Sequence, residues 1–145
     1  MRLVLDTNVL VAALRSDRGA SRKLLLSALD GKIQVIASVP LIIEYEAVLT
    51  RPHHLGATGL SIEETNAVLD ALAAVAEPIQ LRFLWRPRLK DPADEMVLET
   101  AVNGRADRLV TFNLRHFKPA AKEFGILAVT PPEAWKEVQR RHEKK

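Results

Sequence analysis

Near its start the chain runs Leu3-Val4-Leu5 and then stops at Asp6-Thr7-Asn8. A compact apolar run of this kind reads as a short buried strand, and the acid that closes it projects from the strand's carboxyl end. A strand held in a core cannot move its last side chain far, so Asp6 becomes a rigid point for binding or catalysis.

The same device recurs along the chain. Val9 to Leu14 continue from the first acid as an apolar helical turn, and Ala20 to Leu29 carry leucines at helical spacing, with Gly31 placed to end that helix. Ile33 to Ala37 form a second strand. Ser38 then offers an N-cap and Pro40 a first-turn proline for a helix over Val39–Leu49, which carries Glu44 on or beside its apolar face and ends at Arg51-Pro52. His53 to Gly59 read as loop, and Ser61 with Glu64 makes a capping box for a helix running to about Val75. Pro78 to Leu84 read as extended, followed by a basic, proline-interrupted loop from Trp85 to Lys90. Asp91 is placed as an N-cap, Pro92 at the first helical position and Asp94 in the first turn of a helix that Gly104 stops. A strand over Arg108–Phe112 leads to Asn113, Ile126 to Val129 form the last strand, and Thr130 with Glu133 opens a C-terminal helix whose tail is expected to fray from Arg140.

Strands alternating with helices predict an α/β fold, a central parallel sheet flanked by helices on both faces. With 145 residues, 48% of them hydrophobic, the chain suits one domain spanning residues 1–145 rather than two independent cores. The absence of cysteine removes disulfides and thiolate metal sites and fits a reducing cytoplasm. The first apolar run is far too brief for a secretory or membrane segment, so no membrane partner is expected. A net charge of +3 decides little by itself, but Arg82, Arg86, Arg88 and Lys90 crowd the approach to Asp91.

In open parallel sheets ligands gather at the carboxyl ends of the strands, where Asp6 and Asn113 both fall. Asp6, Glu44 and Asp94 sit on three different elements near such ends. If they converge, their repulsion is costly unless a cation or protons compensate, a metal being the simplest compensation, and a site of carboxylates without thiolate or well-placed imidazole favours Mg2+ or Mn2+, the ions of phosphodiester chemistry. Each residue also has a plainer role open to it. Asp6, Asp91 and Asp94 can cap helices, Glu44 can face solvent, Asp107 can serve a turn, and Asn8 and Asn113 can be structural or bind a metal or water through their carbonyl oxygens. Thr111 is placed to orient a nearby carboxylate. The four histidines read as surface residues without metal spacing, and no nucleophile elbow or phosphate-binding glycine loop is present.

Four blocks in this order, Leu3 through Leu10, Ser38 through Tyr45, Asp91-Pro92-Ala93-Asp94-Glu95 and Ala106 through Asn113, resemble the PIN-domain family, in particular its small VapC-like ribonuclease toxins. The resemblance covers nearly the whole chain. It implies that Asp6, Glu44 and Asp94 hold Mg2+ or Mn2+, with Asn113 standing where many relatives have a fourth acid and Asp91, Asn8, Thr111 and Asp107 as accessory residues. It further implies an endoribonuclease leaving 5′-phosphate and 3′-hydroxyl ends, an antitoxin protein that occludes the site, and a homodimer or higher assembly. Arg82, Arg86, Arg88, Lys90, Arg115 and Lys118 are the candidates for contacting RNA phosphates. The competing readings are a PIN-like RNA- or protein-binding module without catalysis, and a phosphatase with Asp6 as nucleophile, which lacks a second acid at Asn8.

Overall fold

A computed structural model describes residues 1–82, 89 and 91–143. Arg86, Arg88 and Lys90 lie outside the described residues. In chain order the elements are β1 (Arg2–Leu5), α1 (Thr7–Arg15), α2 (Ala20–Leu29), β2 (Gln34–Ala37), α3 (Val39–Leu49), α4 (Pro52–Thr58), α5 (Ile62–Val75), β3 (Glu77–Pro78), α6 (Pro92–Asn103), β4 (Arg108–Val110), α7 (Leu114–Glu123), β5 (Leu127–Val129) and α8 (Pro131–Glu143). The five strands form one parallel sheet in the order β3-β2-β1-β4-β5, flanked by helices. The predicted fold class is the observed one.

The strand order explains where a site has to be. The chain steps outward from β1 to β2 and β3, then returns to the other side of β1 for β4 and β5. The direction therefore reverses between β1 and β4, and the carboxyl ends of two parallel strands splay a crevice at that point. β1 is the central strand, and Leu3, Val4 and Leu5 are wholly shielded from solvent, as burial on both faces demands. Leu5 pairs in register with Val110, so Asp6 and Thr111 leave the sheet side by side.

Local chemistry sets the helix ends. The Ser38 hydroxyl accepts from Leu41 N–H at 3.3 Å and also lies 2.8 Å from the Thr100 hydroxyl, tying the start of α3 to α6. Ser61 and Glu64 complete the reciprocal capping box at α5. Gly31, at φ 76°, follows α2 in the left-handed conformation, and Lys32 and Gly31 return hydrogen bonds to the carbonyls of Ser27 and Ala28. One expectation needs correcting, and two helices extend what the sequence reading covered. Pro52 does follow the end of α3, but it also opens α4 from the first turn, so 53–59 is mostly helix rather than loop. Leu114–Glu123 is a helix, α7, despite Pro119 inside it. The tail beyond Arg140 continues α8 through Glu143.

One apolar cluster joins β1, β2, β4 and β5 to the helices, with Leu41, Tyr45, Leu98 and Phe117 among its buried members. At the amino ends of the strands, Arg2 acts as a clamp. Its backbone N–H donates to Asp107 Oδ2 at 2.7 Å, and its guanidinium reaches Glu77 and the Gly104 carbonyl. Among the described residues, no helix is long and apolar enough to cross a membrane.

Candidate active site

Asp6 ends β1 and caps α1. Its Oδ1 accepts from the Thr7 N–H at 2.8 Å, and its Oδ2 accepts from the Thr111 hydroxyl at 2.7 Å. Thr111 is fully buried at the end of β4, and the same hydroxyl accepts from the Asn113 N–H at 2.9 Å. Thr111 thus orients the carboxylate and the turn that follows it. Asp6 is only 5% exposed. Burial pushes its carboxyl up to about 6; the hydrogen bonds from Thr111 and Thr7 oppose that rise, and the negative charges of Asp94 and Asp91 add to it.

α3 supports this acid from below. The Tyr45 hydroxyl, fully buried, donates to the Leu5 carbonyl one residue before Asp6. Burial, and secondarily the charge of Asp6, holds its phenol far above the usual range, so Tyr45 remains a neutral donor. Glu44, its neighbour in sequence, faces the crevice.

The crevice is an open cleft of about 380 Å³ in which Asp6, Asn8, Glu44, Asp91, Asp94 and Asn113 all form part of the wall. Asp94 enters from the first turn of α6, with Asp91 as that helix's N-cap accepting from the Ala93 N–H at 2.9 Å. Burial and the nearby charge of Asp91 raise the Asp94 carboxyl, against a lowering influence from His116. His116 Nδ1 lies 3.5 Å from Asp94 Oδ2. The Asn8 Oδ1 is buried without a hydrogen-bond partner, and the Asn113 side chain makes no capping bond to α7. Both residues line the cleft.

Hard oxygen donors of this kind fit Mg2+ or Mn2+, and an Asp6 carboxyl raised chiefly by burial, and in lesser part by Asp94 and Asp91, is one whose charged form a cation would favour. Among the described residues no three His, Asp or Glu side chains stand together as a ready metal-holding group.

The other expected residues lie elsewhere. Asp107 is at the amino end of β4, at the opposite pole of the sheet, where it binds the Arg2 N–H; the three residues of β4 separate it from Thr111, four steps of the strand or roughly 13 Å. The Arg82 N–H bonds Asn103 Oδ1 at the far end of α6 from Asp94. Arg115 and Lys118 are exposed on α7, and Lys118 borders a separate hollow beside β5. Two basic residues that the sequence reading missed line the cleft itself, Arg51 and His54. Burial and the neighbouring His53, Arg51 and Arg15 lower the His54 imidazole, so it stays neutral. Their signal was Pro52, which pre-organises the first turn of α4 and so places both side chains. His116 was missed with α7, although Leu114, Phe117 and Ala121 recur at helical spacing.

The PIN-domain pattern matches residues 2–115, from the first residue of β1 into the first turn of α7. The chain belongs to the PIN-domain family. PIN domains are in general metal-dependent nucleases, and the match takes in every acid that lines the cleft. No curated protein matches the chain.

Proposed function

We propose that this PIN domain is an endoribonuclease that works with Mg2+ or Mn2+ held by Asp6, Glu44 and Asp94. The observation that carries the reading is the shared cleft, since three acids from β1, α3 and α6 line one hollow at the sheet's reversal point. A divalent ion there supplies a water of lowered pKa and offsets charge on the attacked phosphate. The chain's own groups do the rest. Thr111 and the Thr7 N–H hold the Asp6 carboxylate in one orientation, Tyr45 fixes the backbone beneath it, and Asn8 and Asn113 offer carbonyl oxygens to metal-bound or attacking water. Arg51 presents a cation to RNA phosphate on the wall of the same cleft. No histidine base is required, and attack in line leaves 5′-phosphate and 3′-hydroxyl ends.

We place the protein in the cytoplasm as the toxin of a toxin–antitoxin pair, restrained by a protein antitoxin and working as a homodimer or higher assembly. Support for a protein partner comes from α3, which is apolar nearly all round yet leaves Val39 71% and Ile43 61% exposed, with Ile62 of α5 also exposed. A second reading, a binding module without cleavage, draws on Asn113 in place of an acid and on the open spacing of the carboxylates.

The test is cleavage of mixed cellular RNA with Mn2+ or Mg2+ by the wild type, Asp6→Asn and Asp94→Asn. The nuclease reading expects metal-dependent cleavage that falls by at least about a hundredfold in either variant, a loss of roughly 3 kcal/mol of transition-state stabilisation. Equal cleavage by all three proteins would mark a contaminant. Metal uptake measured by calorimetry separates the second reading, which expects little Mn2+ binding that depends on Asp6.

A further inference from the structure

The hydrogen bond that orients Asp6 has a side effect one residue later. Thr111 has to face inward to reach the carboxylate, and backbone alternation at the end of a strand throws the next side chain outward. That residue is Phe112, and it is 49% exposed. Of the described Phe, Tyr and Trp residues, Tyr45 and Phe117 are buried, and Phe124 and Trp135 pack on the margin of the core. Phe112 does neither.

Its ring borders a hollow of about 410 Å³ together with Asn8, Val11, Ala12, Arg15 and Ser16. Asn8 and Val11 also line the acid cleft, so the two hollows adjoin along α1. No acid lines the second one. Arg15 sits in the last turn of α1, close enough that its charge also acts on His54 in the cleft. The groove therefore runs from a carboxylate-rich end, where a cation and a phosphate would meet, to an end with an arginine and an open aromatic face.

That sequence of surfaces matches an unstacked polynucleotide strand. Bases stack on aromatic rings without regard to sequence, and arginine contacts the adjoining phosphate. Bases inside a duplex are already stacked on both faces and cannot use such a ring. Resting on the nuclease reading above, we infer that Phe112 is a stacking platform for a base next to the scissile phosphate, with Arg15 on a neighbouring phosphate.

The test uses the full chain, with a short dye-labelled single-stranded RNA and the matching blunt duplex, read by fluorescence anisotropy in metal-free buffer. Phe112→Ala should weaken single-strand binding by about tenfold, within the range measured for removing one stacked base. Phe112→Trp should restore it, Arg15→Ala should weaken it and reduce its salt dependence, and duplex binding should not change in either Phe112 variant. Because Phe112 is exposed, thermal midpoints should match the wild type. Equal single-strand affinity in wild type and Phe112→Ala overturns the subsite, as does a parallel loss for single strand and duplex, which would point to a protein-docking role or a misplaced loop. The two readings fail separately. A stacking loss in a protein that cleaves nothing keeps the subsite and sinks the nuclease; metal-dependent cleavage untouched by Phe112→Ala does the reverse.

Discussion

Asp6, the first acid of the proposed site, costs the fold stability. A carboxyl raised from 3.8 to about 6 binds its proton more tightly in the folded chain than in the unfolded one. The sign follows from that difference: stability is greatest below about pH 4, declines as pH rises, and has lost its full share, roughly 3 kcal/mol, once pH passes about 6. Asp6→Asn removes the titration. Urea unfolding of wild type and variant across this window should therefore give curves that diverge, the variant gaining on the wild type toward neutral pH. Parallel curves would show that the charge is compensated within the fold. Mn2+ should recover the lost stability in the wild type and not in Asp6→Asn, because a ligand that binds only the folded chain stabilises it by mass action.

At the scale of elements, the weight falls on how closely helices approach the sheet. Gly104 closes α6 where a Cβ would lie 2.5 Å from Ile36 Cδ1 and 3.0 Å from Ile79 Cδ1 and Cγ1. Its backbone is ordinary helical, so the constraint is packing and not φ. Gly104→Ala should lower stability by about 1 kcal/mol, the small end of overpacking because isoleucine ends can turn aside; an unchanged urea midpoint would show that the β2 and β3 edge gives way freely. Which elements the sequence disclosed follows the same physics. β1, β2 and α6 were legible because apolar runs and caps act locally, and Asp6, Glu44 and Asp94 were legible as the acids beside them. α4 was hidden by Pro52, which ends one helix and begins another, and by Gly56 within a short polar stretch. α7 was hidden by Pro119, a residue that usually argues against a helix interior. With those helices went Arg51, His54 and His116. Asp107 was legible as an acid that precedes a strand; only the family resemblance put it among the accessory residues.

Across the whole molecule the sheet has two poles with separate duties. The carboxyl-end pole holds the cleft; the amino-end pole is closed by Arg2, Asp107, Glu77 and the Gly104 carbonyl. Asp107→Ala leaves the Arg2 N–H without its carboxylate and should cost about 1–2 kcal/mol. Turnover per folded molecule should be unaffected, so a thermal midpoint that drops while metal-dependent cleavage at low temperature holds steady is the expected pair of results. A comparable fall in turnover would mean the poles are coupled through β4.

The bond between Thr111 and Asp6 joins residues 105 apart in sequence. Asp6 and Glu44 precede the β3–α6 connection, while Asp94, Thr111 and Asn113 follow it. Severing the chain at that connection would yield two inert fragments, each carrying an incomplete set of oxygens and one member of the central β1–β4 pair. On the proposed nuclease reading, catalysis would return only on reunion of the halves, which would make this fold a switch for reporting when two tethered proteins meet.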